Sequence, residues 1–425
     1  MGSLLLKNAR LLDMTGEVPS IKETDILVEE NLISKIEKNI DMSADKLIDC
    51  KNNLVMPGLV NTHNHLAMSI FRGYKDDKSL MDWLNNAIWP VENNFTEEDF
   101  YWNSYASCLE LLKSGTTTCN DMYFGMKDVI RAINDSGIRA VVSWSITDSS
   151  VGSKPEETLE YAQKYNDDEN SRLKVYAAAH APYTCNPDTI KLVVDLAKKA
   201  NTGIHIHLSE TTDEENQIRE QYNKTATEYL SNLGVFEVPV ILAHGIHFSD
   251  SDIEILKKIK GGISHNPISN CKLASGICNV VKLRNNGIKV GIGTDGTGST
   301  TTLDMFEEMK TTAFLQKIKN MNPEAIKAYD ILKMATIEGA EVLGLQNEIG
   351  TIEIGKKADI IVINTTDLRF VPENDIATTL VYAANGSDVL TTIVDGNVLM
   401  ENKKFLFSDE TQVKEHIKQN AKRLL

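Results

Sequence analysis

The chain has 425 residues, 42% hydrophobic and 24% charged, the balance of an ordinary globular protein larger than one hydrophobic core usually organises. Its formal net charge of -16, with no basic run, excludes nucleic acid and polyphosphate as expected partners. No apolar run approaches a membrane span, and six scattered cysteines without CxxC spacing point to reduced thiols in a cytoplasmic protein.

In chain order, the first segment reads as small and β-rich. Residues 25–30 and 32–37 flank Glu30-Asn31 as a hairpin, and 46–50 gives another short strand before a Lys51-Asn52-Asn53 turn. From Leu59 to about Gly344 short apolar runs alternate with longer amphipathic segments. Strands are expected at 59–63, 116–121, 138–146, 173–179, 203–208, 240–243, 262–265 and 290–293. Helices are expected at 97–112, 126–134, 155–165, 187–200 and 251–259, with Thr96 capping the first of these and Gly115 just past its end. Strands followed by helices in this way predict an α/β fold, a (β/α)8 TIM-like barrel. The rival, an open doubly wound sheet, lacks a GxGxxG after the first strand. Strand-like runs return at 351–354, 358–364, 389–394 and 397–400, the last two joined by the turn pair Asp395-Gly396. Neither end has enough apolar surface to stand alone. The expectation is therefore a small β-sandwich domain assembled from 1–56 and 349–425, with a C-terminal helix, around a barrel domain of 57–348.

A barrel of this kind places its chemistry at the carboxyl ends of its strands. His63 and His65, two apart in Pro57-Gly58-Leu59-Val60-Asn61-Thr62-His63-Asn64-His65, share a strand face and can aim at one point. The fourth strand runs into His180, the fifth into His205 and His207, the sixth into His244, the seventh into His265 and the eighth into Asp295. Of the nine histidines only His416, in the terminal helix, stands apart from these strand ends. Three histidines and a carboxylate suit one borderline-soft divalent cation, most simply Zn2+, with Fe2+ accepting the same donors. Such a cation lowers the pKa of a bound water to about 7. The end of the fourth strand, Val175-Tyr176-Ala177-Ala178-Ala179-His180, offers no lysine to bridge a second metal.

These motifs resemble the amidohydrolase superfamily and, within it, the 5-methylthioadenosine/S-adenosylhomocysteine deaminase family. Besides residues 57–65 they are Trp-Pro-Val-Glu at 89–92, His-Ala-Pro-Tyr-Thr-Cys at 180–185, His-Ile-His-Leu-Ser-Glu-Thr at 205–211, Ala-His-Gly at 243–245, Ser-His-Asn-Pro at 264–267 and Gly-Thr-Asp-Gly at 293–296. The resemblance implies that His63, His65, His207 and Asp295 hold the metal, that Glu210, His244 and Asp295 handle protons, and that Glu92 and His180 contact a nucleoside substrate together with Glu210 and Asp295. The implied reaction is hydrolytic deamination of adenine nucleosides: 5'-methylthioadenosine, 5'-deoxyadenosine, adenosine or S-adenosylhomocysteine. Water attacks C6, Asp295 or His244 takes its proton, Glu210 protonates the neighbouring ring nitrogen, and ammonia leaves.

The residues read individually are compatible with those roles. Glu210 lies three positions beyond His207, just past a strand end, although a solvated glutamate opening a helix has the same pattern. Glu92 closes a short helix, and an ionised carboxylate accepts well from vicinal hydroxyls. His205 reads as structural, and His247 and His265 as neighbours of the site or loop residues. Two departures stand out. Where family members that accept S-adenosylhomocysteine are expected to offer arginines, residues 143–154 hold Trp144 and Lys154 and no arginine, which favours apolar 5'-substituents. Ser299-Thr300-Thr301-Thr302 replaces asparagines common in the family. Other readings are a deaminase or chlorohydrolase of a guanine-like, pterin or triazine ring, and a non-catalytic scaffold. Size and symmetry priors favour a homo-oligomer.

Overall fold

The computed structural model describes residues 2–150, 152–168 and 170–425; Val151, within the stretch singled out for its lack of arginine, lies outside them. Five strands come first: β1 Ser3–Leu12, β2 Ile21–Glu29, β3 Leu32–Glu37, β4 Lys46–Asp49 and β5 Leu54–Pro57. β5 passes into β6, Leu59–Asn64, through the single residue Gly58. A Cβ at Gly58 would lie 2.1 Å from Oγ1 of Thr117, so only glycine fits the junction.

Seven further strands complete the barrel: β7 Thr116–Tyr123, β8 Arg139–Ile146, β9 Leu173–Ala179, β10 Ile204–Leu208, β11 Val240–His244, β12 Gly261–His265 and β13 Val290–Ile292. They pair in sequence order and all in parallel, at spans within two residues of those expected. Alternation sorts their side chains. Ile204, Ile206 and Leu208 of β10 pack outward into the main core, which puts His205 and His207 on the other face. Val60, Val141 and Ile241, in the amino halves of three strands, form a separate cluster with Ala340, Val342 and Ile349 from the segment that follows the barrel helices. Closure of the barrel depends on close approach of β13 to β6. A Cβ at Gly291 would lie 2.5 Å from Thr62, and one at Gly293 would lie 2.7 Å from the His63 backbone nitrogen. Just past β13, the Asp295 amide donates to the His63 carbonyl at 3.0 Å.

The chain then returns as β14 Ile360–Ile363, β15 Val389–Val394, β16 Asn397–Glu401 and β17 Lys404–Phe405. Both ends merge in one nine-stranded mixed sheet of order β17-β16-β15-β14-β5-β1-β2-β3, with β4 beside β1. The sheet rolls over on itself. Residues of β1, β2 and β3 share a core with Ile360, Val362 and Ile393, while the Ile33 amide donates to Lys356 and the Ala358 amide to Asn31. The strand expected at 351–354 is absent. There Thr351 donates to Glu353, and Lys356 donates to Thr351 at 2.6 Å and to the Gln346 carbonyl at 2.8 Å, drawing the segment into a turn.

The helix Glu97–Lys113 starts in a capping box between Thr96 and Asp99, as its sequence suggests. The terminal helix Glu410–Leu424 lies on it, with His416 stacked on Trp102 at 3.7 Å between centroids and Arg423 paired with Asp99. Among the described residues no helix is long and apolar enough to cross a membrane, and all six cysteines are free.

Arg139, at the start of β8, ties barrel to terminal sheet. Its Nε reaches Asp359 at 2.8 Å and its Nη2 reaches Asp395 at 3.1 Å, all three side chains being buried. The turn pair Asp395-Gly396 thus also supplies an acceptor for a buried cation. Arg139→Met leaves buried Asp359 without its cation and buried Asp395 with only Lys357, at 3.9 Å, and is expected to cost about 3–5 kcal/mol of unfolding free energy, read from the urea midpoint. Asp359→Asn and Asp395→Asn added to Arg139→Met are expected to recover part of that loss.

Candidate functional site

His63, His65, His180, His207, His244 and Asp295 reach the same mouth of the barrel, although not every one reaches the same point; His265 is buried, and among the described residues neither of its ring nitrogens has a hydrogen-bond partner. The Nε2 atoms of His63 and His65 lie 3.4 and 3.2 Å from Oδ1 of Asp295, and Nε2 of His207 lies 3.3 Å from that of His65. His63, His65 and Asp295 offer ligand atoms within 4.8 Å of one another, as do His63, His207 and His244. Across the mouth, Nε2 of His244 faces Oε2 of Glu210 at 3.8 Å. His205 lies behind this group, and His247 points away to the Ser275 carbonyl.

The hydrogen bonds fix which nitrogen of each ring faces inward. His65 Nδ1 donates to the Met122 carbonyl and His207 Nδ1 to the His180 carbonyl, both at 2.6 Å, so each ring turns its Nε2 into the site. For His63 the partner is another imidazole. His63 Nδ1 donates to His205 Nε2 at 2.9 Å, His205 Nδ1 donates to Ser143 Oγ at 3.1 Å, and Ser143 donates to the Asp121 carbonyl at 3.0 Å. This assignment satisfies every proton in the chain and leaves only His63 Nε2, a buried atom without a partner among the described residues. In the same way His244 Nδ1 donates to Asn270 Oδ1 at 2.8 Å, leaving its Nε2 bare.

Charge and burial agree with this donor set. Burial holds His63 down to about 4 and His207 well below the usual imidazole range, so both are neutral donors. Burial also opposes charge on His65, but the Asp295 carboxylate outweighs it and raises His65 to about 9. Burial likewise works to raise Asp295, and its contacts with the His63 and His65 rings, together with the charge on His65, overcome it, keeping Asp295 well below the carboxylate range. A cluster that draws a proton onto a buried imidazole is one that draws a cation. His63, His65, His207 and Asp295 therefore fit a divalent metal in donor type, protonation and convergence.

The turns after the strands aim the remaining groups. Ser209, His244 and Asp295 have positive φ of 53°, 76° and 66°, a conformation that non-glycine residues adopt at a cost and that clusters at functional sites. Glu214 holds the turn after β10 by accepting from the amides of Ser209 and Glu210, each at 2.9 Å. Glu210 is buried, and burial raises its carboxyl above the usual range. Asp295 is held from behind: its Oδ2 accepts from Ser269 at 2.6 Å and Ser299 at 2.7 Å, and its Oδ1 from the Gly296 amide at 2.8 Å. Sequence reasoning missed Ser143, Glu214, Ser269 and Asn270. A capping-type Thr211-x-x-Glu214 was the available signal for one of them.

Above the cluster lies a cavity roofed by the segment 80–92 with Leu80, Trp83, Leu84, Ile88 and Trp89. The turn Leu84–Ile88 is π-helical, a form often found at functional sites. Glu92, His180, Glu210, His244 and Asp295 all line this cavity. Tyr123 Oη donates to Glu92 Oε1, and burial pushes the Glu92 carboxyl up to about 7. The Nδ1 of His180 pairs with Thr184 Oγ1 at 3.0 Å. Beyond Glu92 and His180 the cavity opens into a groove lined by Phe100, Phe124, Thr147, Asp148, Ser149 and Ser150.

Fold and site together define a hydrolytic enzyme. The chain belongs to the amidohydrolase family, whose model matches residues 54–399. It is 45% identical over 418 residues to the 5-methylthioadenosine/S-adenosylhomocysteine deaminase of Carboxydothermus hydrogenoformans, covering 97% of this chain and 96% of the relative. It is also 45% identical over 417 residues to the 5'-deoxyadenosine deaminase of Methanobrevibacter smithii, covering 97% and 95%. Among solved structures, an adenosine deaminase from Xanthomonas campestris with bound zinc matches with a TM-score of 0.95 at 29% identity, covering 99% of this chain and 98% of that one.

His205→Ala breaks the donor chain that sets the His63 tautomer. It is expected to weaken divalent-cation affinity by about 10–100-fold, measured by competition with a chromophoric chelator.

Proposed function

We propose that this enzyme hydrolytically deaminates adenine nucleosides with small apolar 5'-groups, 5'-deoxyadenosine and 5'-methylthioadenosine, using zinc held by His63, His65, His207 and Asp295. One observation carries the reading: the metal-competent cluster, the Glu210–His244 pair and the Tyr123-held Glu92 share one cavity. The relatives' names supply the substrate class.

When bound, zinc supplies the Lewis acidity that makes water a nucleophile at neutral pH. His244, whose Nδ1 proton is committed to Asn270, presents a bare Nε2 that takes a proton from the attacking water. Glu210, its carboxyl raised by burial, is the group that delivers a proton to the ring nitrogen beside C6, so the ring accepts the electrons of the attack. His244 passes the proton it took to the amino nitrogen, the C6–N bond breaks to release ammonia, and the hydroxyl proton left at C6 goes to Glu210 as the C6 carbonyl forms. Glu92, with one oxygen held by Tyr123, accepts from the ribose hydroxyls, and His180 meets the purine edge. The aromatic roof excludes water and stacks on the base.

The groove beyond Glu92 supports the preference for apolar 5'-groups. Asp148 there is occupied by the Asn186 amide and the Thr189 hydroxyl, and among the described residues no arginine lines the groove. Lys154 does not replace one. It donates to the Ser145 carbonyl at 3.3 Å and lies 4.9 Å from the Phe124 ring centroid, and burial lowers it to about 8. The carboxylate of S-adenosylhomocysteine therefore finds no matching cation.

Ammonia release from zinc-loaded enzyme is expected to rank 5'-deoxyadenosine and 5'-methylthioadenosine above S-adenosylhomocysteine in kcat/KM. Release from guanine or an aminotriazine, and from no nucleoside, would overturn the reading. Glu210→Gln is expected to lower kcat by about 10²–10⁴-fold with little change in KM. Glu92 accepts from two hydroxyls only when ionised, so nucleoside KM is expected to rise about tenfold from about pH 8 to about pH 6, a rise absent from Glu92→Gln.

A further inference from the structure

Glu308 has no part in the chemistry above, yet it is fully buried and, among the described residues, meets no lysine or arginine. It lies on the helix Met305–Asn320. Its Oε2 accepts from the Ile268 amide at 3.1 Å, and its Oε1 pairs with Thr300 Oγ1 at 2.9 Å. These contacts lie on two different short helices, Pro267–Lys272 after β12 and Thr297–Thr300 after β13.

Helices of four and six residues have no stability of their own, so their placement depends on what ties them down. Both are functional supports. Pro267–Lys272 carries Ser269, a donor to Asp295 Oδ2, and Asn270, which fixes the His244 tautomer. Thr297–Thr300 carries Ser299, the second donor to Asp295 Oδ2. Lys272 adds a link from the outer side through the Gly298 carbonyl and Thr301.

We propose that Glu308 is a positioning residue for the reaction, a single buried carboxyl that locks together the two short helices aiming Asp295 and His244. An unpaired buried carboxyl is a poor device for stability, because its desolvation is uncompensated. Burial raises it well above the carboxylate range, and its two oxygens take up the Ile268 amide and the Thr300 hydroxyl. A glutamine keeps this bridge, its carbonyl accepting from the Ile268 amide and its NH2 donating to a Thr300 hydroxyl that turns to accept. An alanine removes it, and Thr300→Val removes one half of it with almost no change in packing.

The proposal rests on reading Asp295 as a metal ligand, and Asp295→Ala serves as the companion variant. The readouts are zinc affinity by chelator competition, kcat and KM for ammonia release from 5'-deoxyadenosine, and the urea midpoint. Glu308→Gln is expected to stay within about threefold of the parent in all of them. Glu308→Ala and Thr300→Val are expected to weaken zinc affinity by about tenfold or more and to lower kcat while KM holds. Should Glu308→Ala not fold, Thr300→Val decides alone. If Thr300→Val and any folded Glu308→Ala keep parental zinc affinity and kcat while Asp295→Ala loses both, the proposal is wrong and the site reading stands. If Asp295→Ala itself retains zinc, the site reading falls and takes the proposal with it.

Discussion

The structure depends on one constraint: β6 and β13, the first and last strands of the barrel, must approach closely enough for Asp295 to meet the rings of His63 and His65. That contact exists only once the barrel is closed, because the partners are more than two hundred residues apart in the chain and belong to the two strands that complete the ring. Closure and assembly of the site are therefore a single event. The glycines at 291 and 293 matter for the same reason, since any side chain there would hold β13 away from β6.

The mouth then divides its ionisable groups by environment. Asp295, held by serines and set against imidazoles, is driven low, while Glu210, buried in the same cavity and without a hydrogen-bond donor among the described residues, is driven high. Two carboxyls in one cavity pushed in opposite directions are the physical basis for the proposed division, one carboxyl for the metal and the other for the proton. The imidazoles follow the same logic. Each has one nitrogen committed to a carbonyl, an amide oxygen or another ring, so the inward nitrogen is set before any ligand arrives.

Much of this was legible in the sequence. The barrel strands were readable because parallel strands buried on both faces leave short apolar runs, and the histidines stood at their ends in a pattern that scattered core residues would not produce. Less legible were features set by distant partners. β1 carries a register shift between Leu6 and Ala9, with Asn8 at positive φ, which breaks the alternation that would have marked it as a strand. The roof with its π-helical turn has no short-range signature. Ser143, Asn270 and Glu308 reveal themselves only through partners 8 to 62 positions away, and nothing local distinguishes them from ordinary polar residues.

The passage of β5 into β6 through Gly58 has a mechanical meaning. The strand bearing His63 and leading into His65 is an extension of one that lies inside the terminal sheet, paired to β1 on one side and β14 on the other. The sheet is thus the anchorage from which the first two imidazoles are cantilevered into the mouth. Loosening at either end of the polypeptide would be transmitted along this rod to the rings, so the termini act as tuning pegs for a centre they never touch.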